Sequence, residues 1–106
     1  MSADQLEIRV QHTPEALIVA VLGELDIASA GMLERAVRDA ELDAPGRLVV
    51  DLSGLEFMDS TGLHVLLAAA RRSRDGGPRL TLRRGPGPVH QVFELTQTTP
   101  LFHFER

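Results

Sequence analysis

LVVDLSGLEFMDSTGLHVLL, residues 48–67, is the stretch on which the fold reading depends. Its opening, Leu48–Leu52, is short, continuous and rich in valine, which suits a strand buried on both faces. From Ser60 to Arg74 the period changes: Leu63, Leu66, Leu67 and Ala70 fall on one helical face, and Gly76-Gly77-Pro78 supplies the stop. Between them Ser53–Asp59 follows neither period and reads as an irregular connection carrying Leu55, Phe57 and Met58. A buried strand feeding a helix in this way is half of a parallel crossover unit.

Toward the N-terminus, Leu6, Ile8 and Val10 alternate with Glu7, Arg9 and Gln11, the pattern of a half-buried strand. His12-Thr13-Pro14-Glu15 marks a turn, and Leu17–Leu22 (LIVAVL) reads as a second strand, making a hairpin with the first. After Gly23-Glu24-Leu25-Asp26, a helix is predicted with Ala30, Leu33, Val37 and Ala40 inward and Asp26 or Ser29 as cap. Toward the C-terminus, Leu80 and Leu82 indicate a further parallel strand. Pro88 opens a helix carrying Val89, Val92, Phe93 and Thr96, and Leu101, Phe102 and Phe104 close the chain as a short strand or docked tail. The expectation is one α/β domain over residues 1–106, a mixed, mostly parallel sheet of 4–5 strands flanked by helices, in the order β-β-α-β-α-β-α with an optional last β.

Composition narrows the chemistry. The 106 residues hold 11 basic and 15 acidic side chains, a net charge of −4, and every basic residue is arginine. Without cysteine there is no disulfide, thiolate nucleophile or Cys-based metal site, and without lysine no Schiff base or P-loop lysine. A net-negative chain with no basic stripe is a poor nucleic-acid binder. The longest nearly apolar run, Ala16–Gly23, is too short to span a membrane, so no membrane insertion is expected. The acidic start Met1-Ser2-Ala3-Asp4 leads into no apolar signal segment, and a cytoplasmic location follows as the expectation. His12, His64, His90 and His103 have no metal-ligand spacing, so neither metal nor cofactor is expected.

Sites in open α/β sheets gather beyond the carboxyl ends of the parallel strands. That rule selects Glu24–Asp26, Asp51–Thr61 and Arg83–Pro86, and the middle segment is richest. Ser60 falls at the start of a helix, where the first backbone N–H groups lack partners and the dipole is positive. A phosphate on Ser60 would be held by those amides and would add about −1.5 to −2 charges beside Asp59 and Asp26. Asp26, Asp51 and Asp59 are expected to gather on that edge. Read without further support, Asp59-Ser60-Thr61 is also ordinary capping chemistry. Leu55, Phe57 and Met58 either pack under the loop or present an apolar contact beside a polar rim. Arg71-Arg72-Ser73-Arg74 reads as a solvated face at a helix C-terminus.

Residues 48–67 resemble the signature of the STAS family, and most of all its stand-alone bacterial anti-sigma factor antagonists; Gly23-Glu24-Leu25-Asp26 and Pro88–Leu101 extend the likeness over nearly the whole chain. The resemblance implies a partner switch, not an enzyme. The unphosphorylated protein binds an anti-sigma factor serine/threonine kinase and so releases a sigma factor. Phosphorylation of the serine after the motif aspartate, Ser60 here, abolishes that binding, and a PP2C-type phosphatase resets the cycle. ATP and metal belong to those partners. Carried over by position, Ser60 is the phosphoacceptor. Asp26 and Asp59 flank it, Thr61 and Gly62 shape the helix start, and Phe57 and Met58 are contact or packing residues. His64 stands where many relatives have glycine, on the helix face of Ser60, where an imidazole could pair with its phosphate.

Three other readings compete. A non-switching STAS subunit of a larger assembly, such as a lipid-transport ABC system, keeps the fold without the kinase cycle. A receiver domain phosphorylated on Asp51 needs a lysine this chain lacks. A hydrolase built on Ser60 lacks a recognisable base and the first glycine of a nucleophile elbow.

Overall fold

Seen as a computed structural model, the chain is described over residues 5–105. The N-terminal alternation produces β1 (Leu6–His12), antiparallel to β2 (Leu17–Leu25), with the Thr13 hydroxyl bridging the turn by donating to the Ala16 carbonyl and accepting its N–H. Helix α1 (Ala30–Asp43), β3 (Arg47–Met58), α2 (Ser60–Arg74), β4 (Arg79–Arg83), α3 (Gly87–Leu95), a 3-10 turn (Thr99–Leu101) and β5 (Phe104–Glu105) follow. The sheet runs β1-β2-β3-β4-β5, parallel everywhere except at the first pair. The mixed, mostly parallel sheet and the element order are those the sequence led us to expect.

Strand side chains alternate between faces, so register decides what is covered. Leu17, Val19 and Val21 of β2, Leu48 and Val50 of β3, and Leu80 and Leu82 of β4 share one face. There they join Leu33 and Val37 of α1, Leu63 and Leu66 of α2, and Val89 and Phe93 of α3 in one core. On the other face Ile18, Val49 and Thr81 are register neighbours and buried, and Ala16 joins Ile18 and Val49 in a second, smaller apolar cluster. Arg83 there reaches Glu105 at 2.6 Å and Asp51 at 3.6 Å.

The segment read as irregular is strand. β3 continues without a break to Met58, but it carries two bulges against β2. Three residues pass from Asp51 to Gly54 while β2 passes two, Ala20 to Leu22, and two pass from Leu55 to Phe57 while β2 passes one. Each bulge adds one residue, so the buried positions Leu52, Leu55 and Met58 fall three apart instead of two. The same insertions let Met58 end in register with Leu25, so both strands finish together.

Three further expectations change. Arg72 is not solvated: its guanidinium Nε lies 2.8 and 3.0 Å from the Glu41 carboxylate oxygens and ties α2 to α1. Ser73 accepts the Leu80 N–H instead of facing water. Thr96 is the exposed C-cap of α3, its hydroxyl donating to the Val92 carbonyl, and His90 takes the buried place in that helix. The His90 ring stands edge-on to Phe104 with centroids 5.0 Å apart. Its Nδ1 is buried without a partner. Burial, seconded by the charge of Arg84, holds the imidazole below its ordinary value of 6.5. The C-terminal tail is both things foreseen, a two-residue strand on β4 and a docked Phe102 against Phe93.

Candidate functional site

Because Leu25 and Met58 are register partners, Asp26 and Asp59 are the next residues of two adjacent parallel strands. The Asp59 N–H donates to the Leu25 carbonyl at 3.2 Å, so the two turns start from a shared bond. Both turns then feed helices, α1 and α2, that pack on the same sheet face. Just before the first turn, Gly23 lets the start of β1 lie close against β2: it holds φ +101°, and a Cβ there would stand 1.9 Å from the Gln5 carbonyl oxygen, which accepts the Glu24 N–H at 2.7 Å.

In the first turn Asp26 accepts the Ala28 N–H at 3.0 Å. Ser29 is buried, 2 % exposed; its hydroxyl accepts the Asp26 N–H and donates to the Glu24 carbonyl, both at 3.0 Å. Ser29 therefore precedes α1 without capping it through its side chain. In the second turn Asp59 is the N-cap of α2, accepting the Thr61 N–H at 2.9 Å, the Gly62 N–H at a longer 3.4 Å, and the Thr61 hydroxyl. Ser60 is exposed at the first helical position, and its hydroxyl has no partner among the described residues.

The sequence-predicted site residues divide accordingly. Asp26, Asp59, Ser60 and Thr61 come together. Gly62 is buried, and a Cβ there would meet the Leu25 side chain at 2.6 Å, so it serves by letting α2 begin against β2. Met58 is 3 % exposed and belongs to the core, whereas Phe57 is 49 % exposed. Only Phe57 of that pair is presented, because adjacent strand residues face opposite ways. Asp51 does not join the cluster: it lies seven residues upstream of Met58 on β3, accepting the Ser53 N–H and pairing with Arg83 on the open face. The Asp59 carboxylate already accepts the N–H groups of Thr61 and Gly62, two of the helix-start amides on which a phosphate at Ser60 was expected to rest.

Two residues at the site escaped the sequence reading. Ile27, between Asp26 and Ala28, is 79 % exposed, and Met32 in the first turn of α1 is also exposed. The available signal was Ile27 itself, a large apolar residue in a polar turn with no periodic partner. With Phe57 they give the two acidic turns an apolar fringe. His64 is exposed one turn beyond Ser60, beside Glu34 and Arg72 in a shallow depression between α1 and α2. Among the described residues no group of three His, Cys, Asp or Glu could hold a metal ion, and no helix is long and apolar enough to cross a membrane.

Comparison with known proteins agrees with this architecture. A family model described as Mlab, STAS domain matches residues 8–100. The anti-sigma-F factor antagonist RsfB of Mycobacterium tuberculosis is 36 % identical over 106 residues, covering 96 % of this chain and 86 % of its own. The crystal structure of an anti-sigma factor antagonist from Mycobacterium paratuberculosis superimposes with a TM-score of 0.84 at 29 % identity, covering 97 % of this chain and 87 % of that one. The antagonist SpoIIAA shares the fold at lower identity. Its unphosphorylated form gives a TM-score of 0.76 at 19 % identity, covering 94 % and 89 %, and its phosphorylated form from Bacillus gives 0.70 at 20 %, covering 94 % and 92 %. With a family model matched over most of its length and a relative more than one-third identical across nearly all of it, this chain belongs to the STAS-domain family.

Proposed function

We propose that this chain is an anti-sigma factor antagonist whose binding is switched by phosphorylation of Ser60. The observation that carries the reading is the exposed, unpartnered Ser60 hydroxyl at the start of α2, set between two acidic turns with an apolar fringe. A kinase can approach that hydroxyl without unfolding anything. The names of the relatives supply the partner class, an anti-sigma factor.

The unphosphorylated surface offers Ile27, Met32 and Phe57 as contact area, with Asp26 and Asp59 fixing orientation at the rim. An anti-sigma factor that is also a serine/threonine kinase transfers the γ-phosphoryl group of ATP to Ser60 Oγ; the hydroxyl proton is lost and ADP leaves. The product carries about −1.5 to −2 additional charges beside the Asp59 carboxylate. Asp59 holds the adjacent amides, so the phosphate adds to the negative field of the turn instead of being neutralised by the helix start. A partner surface that fitted two aspartates then meets a much more negative edge and dissociates, and a PP2C-type phosphatase restores the hydroxyl. This chain contributes the substrate serine and the docking surface, and catalysis belongs to the partners.

The test is binding of Ser60 variants to the cognate anti-sigma factor by calorimetry. Ser60→Ala binds whether or not ATP is present, and Ser60→Asp binds about 100-fold more weakly, as like-charge juxtaposition costs several kcal/mol. Equal affinities for Ser60→Asp and wild type would remove the switch. Copurification with a transport ATPase and no phosphate uptake would point to the non-switching reading.

A further inference from the structure

At the opposite end of the parallel strands lies a groove of about 450 Å³, formed where α2 ends, β4 begins and the C-terminal tail returns. Its apolar floor is Leu80 and Phe102, and Leu101, about half exposed, stands at its rim. The walls are fixed by two hydrogen bonds: Ser73 Oγ accepts the Leu80 N–H at 3.1 Å, and the Leu82 N–H donates to the His103 carbonyl at 2.8 Å. Arg74, Arg79 and His103 line it, and no lining residue is acidic.

The groove is therefore locally positive in a chain of net charge −4. Arg74 alone is accounted for by the carbonyl end of α2, which favours cations. Arg79 and His103 come from other elements and owe nothing to that dipole. Neither Arg74 nor Arg79 forms an ion pair among the described residues, a state shared with Arg35, Arg38, Arg71 and Arg84; what sets these two apart is that they line one groove that has no acidic residue in it. Two unpaired guanidiniums and an imidazole around an apolar trough complement a ligand that is negative at its edges and apolar at its centre.

We propose that this groove docks an acidic peptide segment of a partner protein, its carboxylates on Arg74 and Arg79 and an aliphatic side chain against Leu80, Leu101 and Phe102. The apolar floor suits an aliphatic side chain, and guanidinium forks suit carboxylates. Because the groove and Ser60 sit at opposite ends of the strands, occupation of one leaves the other free. The surface would let a second protein ride on the antagonist through both states of Ser60.

The test is an amide NMR titration of the whole chain with the heptapeptide LEDLEEL. Expected are saturable shifts at Arg74, Arg79, Leu101 and His103 and none at Ser60. Affinity falls about tenfold in Arg74→Glu/Arg79→Glu, whose exposed sites leave the folded spectrum intact, and falls also as salt is raised. Leu101→Asp separates the apolar contact from the charges and also weakens binding. Absence of shifts at the groove, or shifts unchanged in the charge-reversed variant, would overturn the proposal. So would saturation by phosphatidylglycerol vesicles with no response to the peptide, which would assign the groove to a lipid surface.

Discussion

The turns that follow β2 and β3 both open on an aspartate and carry a serine, and they treat those serines in opposite ways. Each begins with an aspartate one residue past a register-paired strand end, and each leads into a helix. In the first, Ser29 is buried and its hydroxyl is committed to the Asp26 N–H and the Glu24 carbonyl. In the second, the hydroxyl that serves the aspartate is that of Thr61, and Ser60 is left facing solvent. On the proposed reading, the serine open to modification is the one whose structural duty has passed to a neighbour. Asp59 caps the helix and Thr61 braces Asp59, so Ser60 can change its charge without dismantling either.

The largest stability effect that separates the turns comes from removing the buried hydroxyl. Ser29→Ala strands a buried donor and acceptor and costs about 1–3 kcal/mol, read by denaturant unfolding. Ser60→Ala, losing no bond, shifts the midpoint by less than about 0.5 kcal/mol. Equal costs would erase the distinction.

Next is Asp59→Ala, which removes the cap of α2 and costs about 1 kcal/mol. The variant also frees the Thr61 and Gly62 amides. Phosphate on Ser60 then finds donors at a positive helix end, so phosphorylation stabilises the variant against unfolding more than it does the wild type. If phosphorylation stabilises both alike, Asp59 is not what keeps the phosphate from the amides.

The smallest effect is a pH slope that belongs to neither turn. It comes from His90, buried in α3. Its folded-state value lies below 6.5, so the unfolded chain binds the proton more readily. Stability therefore falls as pH drops through and below 6.5. His90→Leu flattens this part of the stability profile, measured by thermal melts across the range; an unchanged slope would place the titration elsewhere.

Much of this was legible in the sequence. Period-2 alternation revealed β1, apolar periodicity revealed α1 and α2, and the Asp-Ser-Thr run marked the helix start at Ser60. The second half of β3 was not legible, because two bulges convert its burial period from two to three, and that spacing resembles neither regular element. Asp51 was misplaced for the same reason: a strand thought to end near Leu52 continues to Met58 and carries the carboxyl end away from it. His90 was hidden because polar residues on a helix are read as outward, whereas Phe104 of the tail and Phe93 of its own helix flank this one. The division of labour between Ser60 and Thr61 is a matter of hydroxyl direction, which no spacing records.

Phosphate mapping tests the central contrast most directly. Wild-type protein is incubated with ATP and the anti-sigma kinase that the proposed function calls for, then fragmented and sequenced by mass spectrometry. One phosphate on Ser60, with Ser29 and Thr61 unmodified, is the result predicted from the two turns. Phosphate on Ser29 or Thr61, or no uptake by a kinase that binds the protein, would contradict the account.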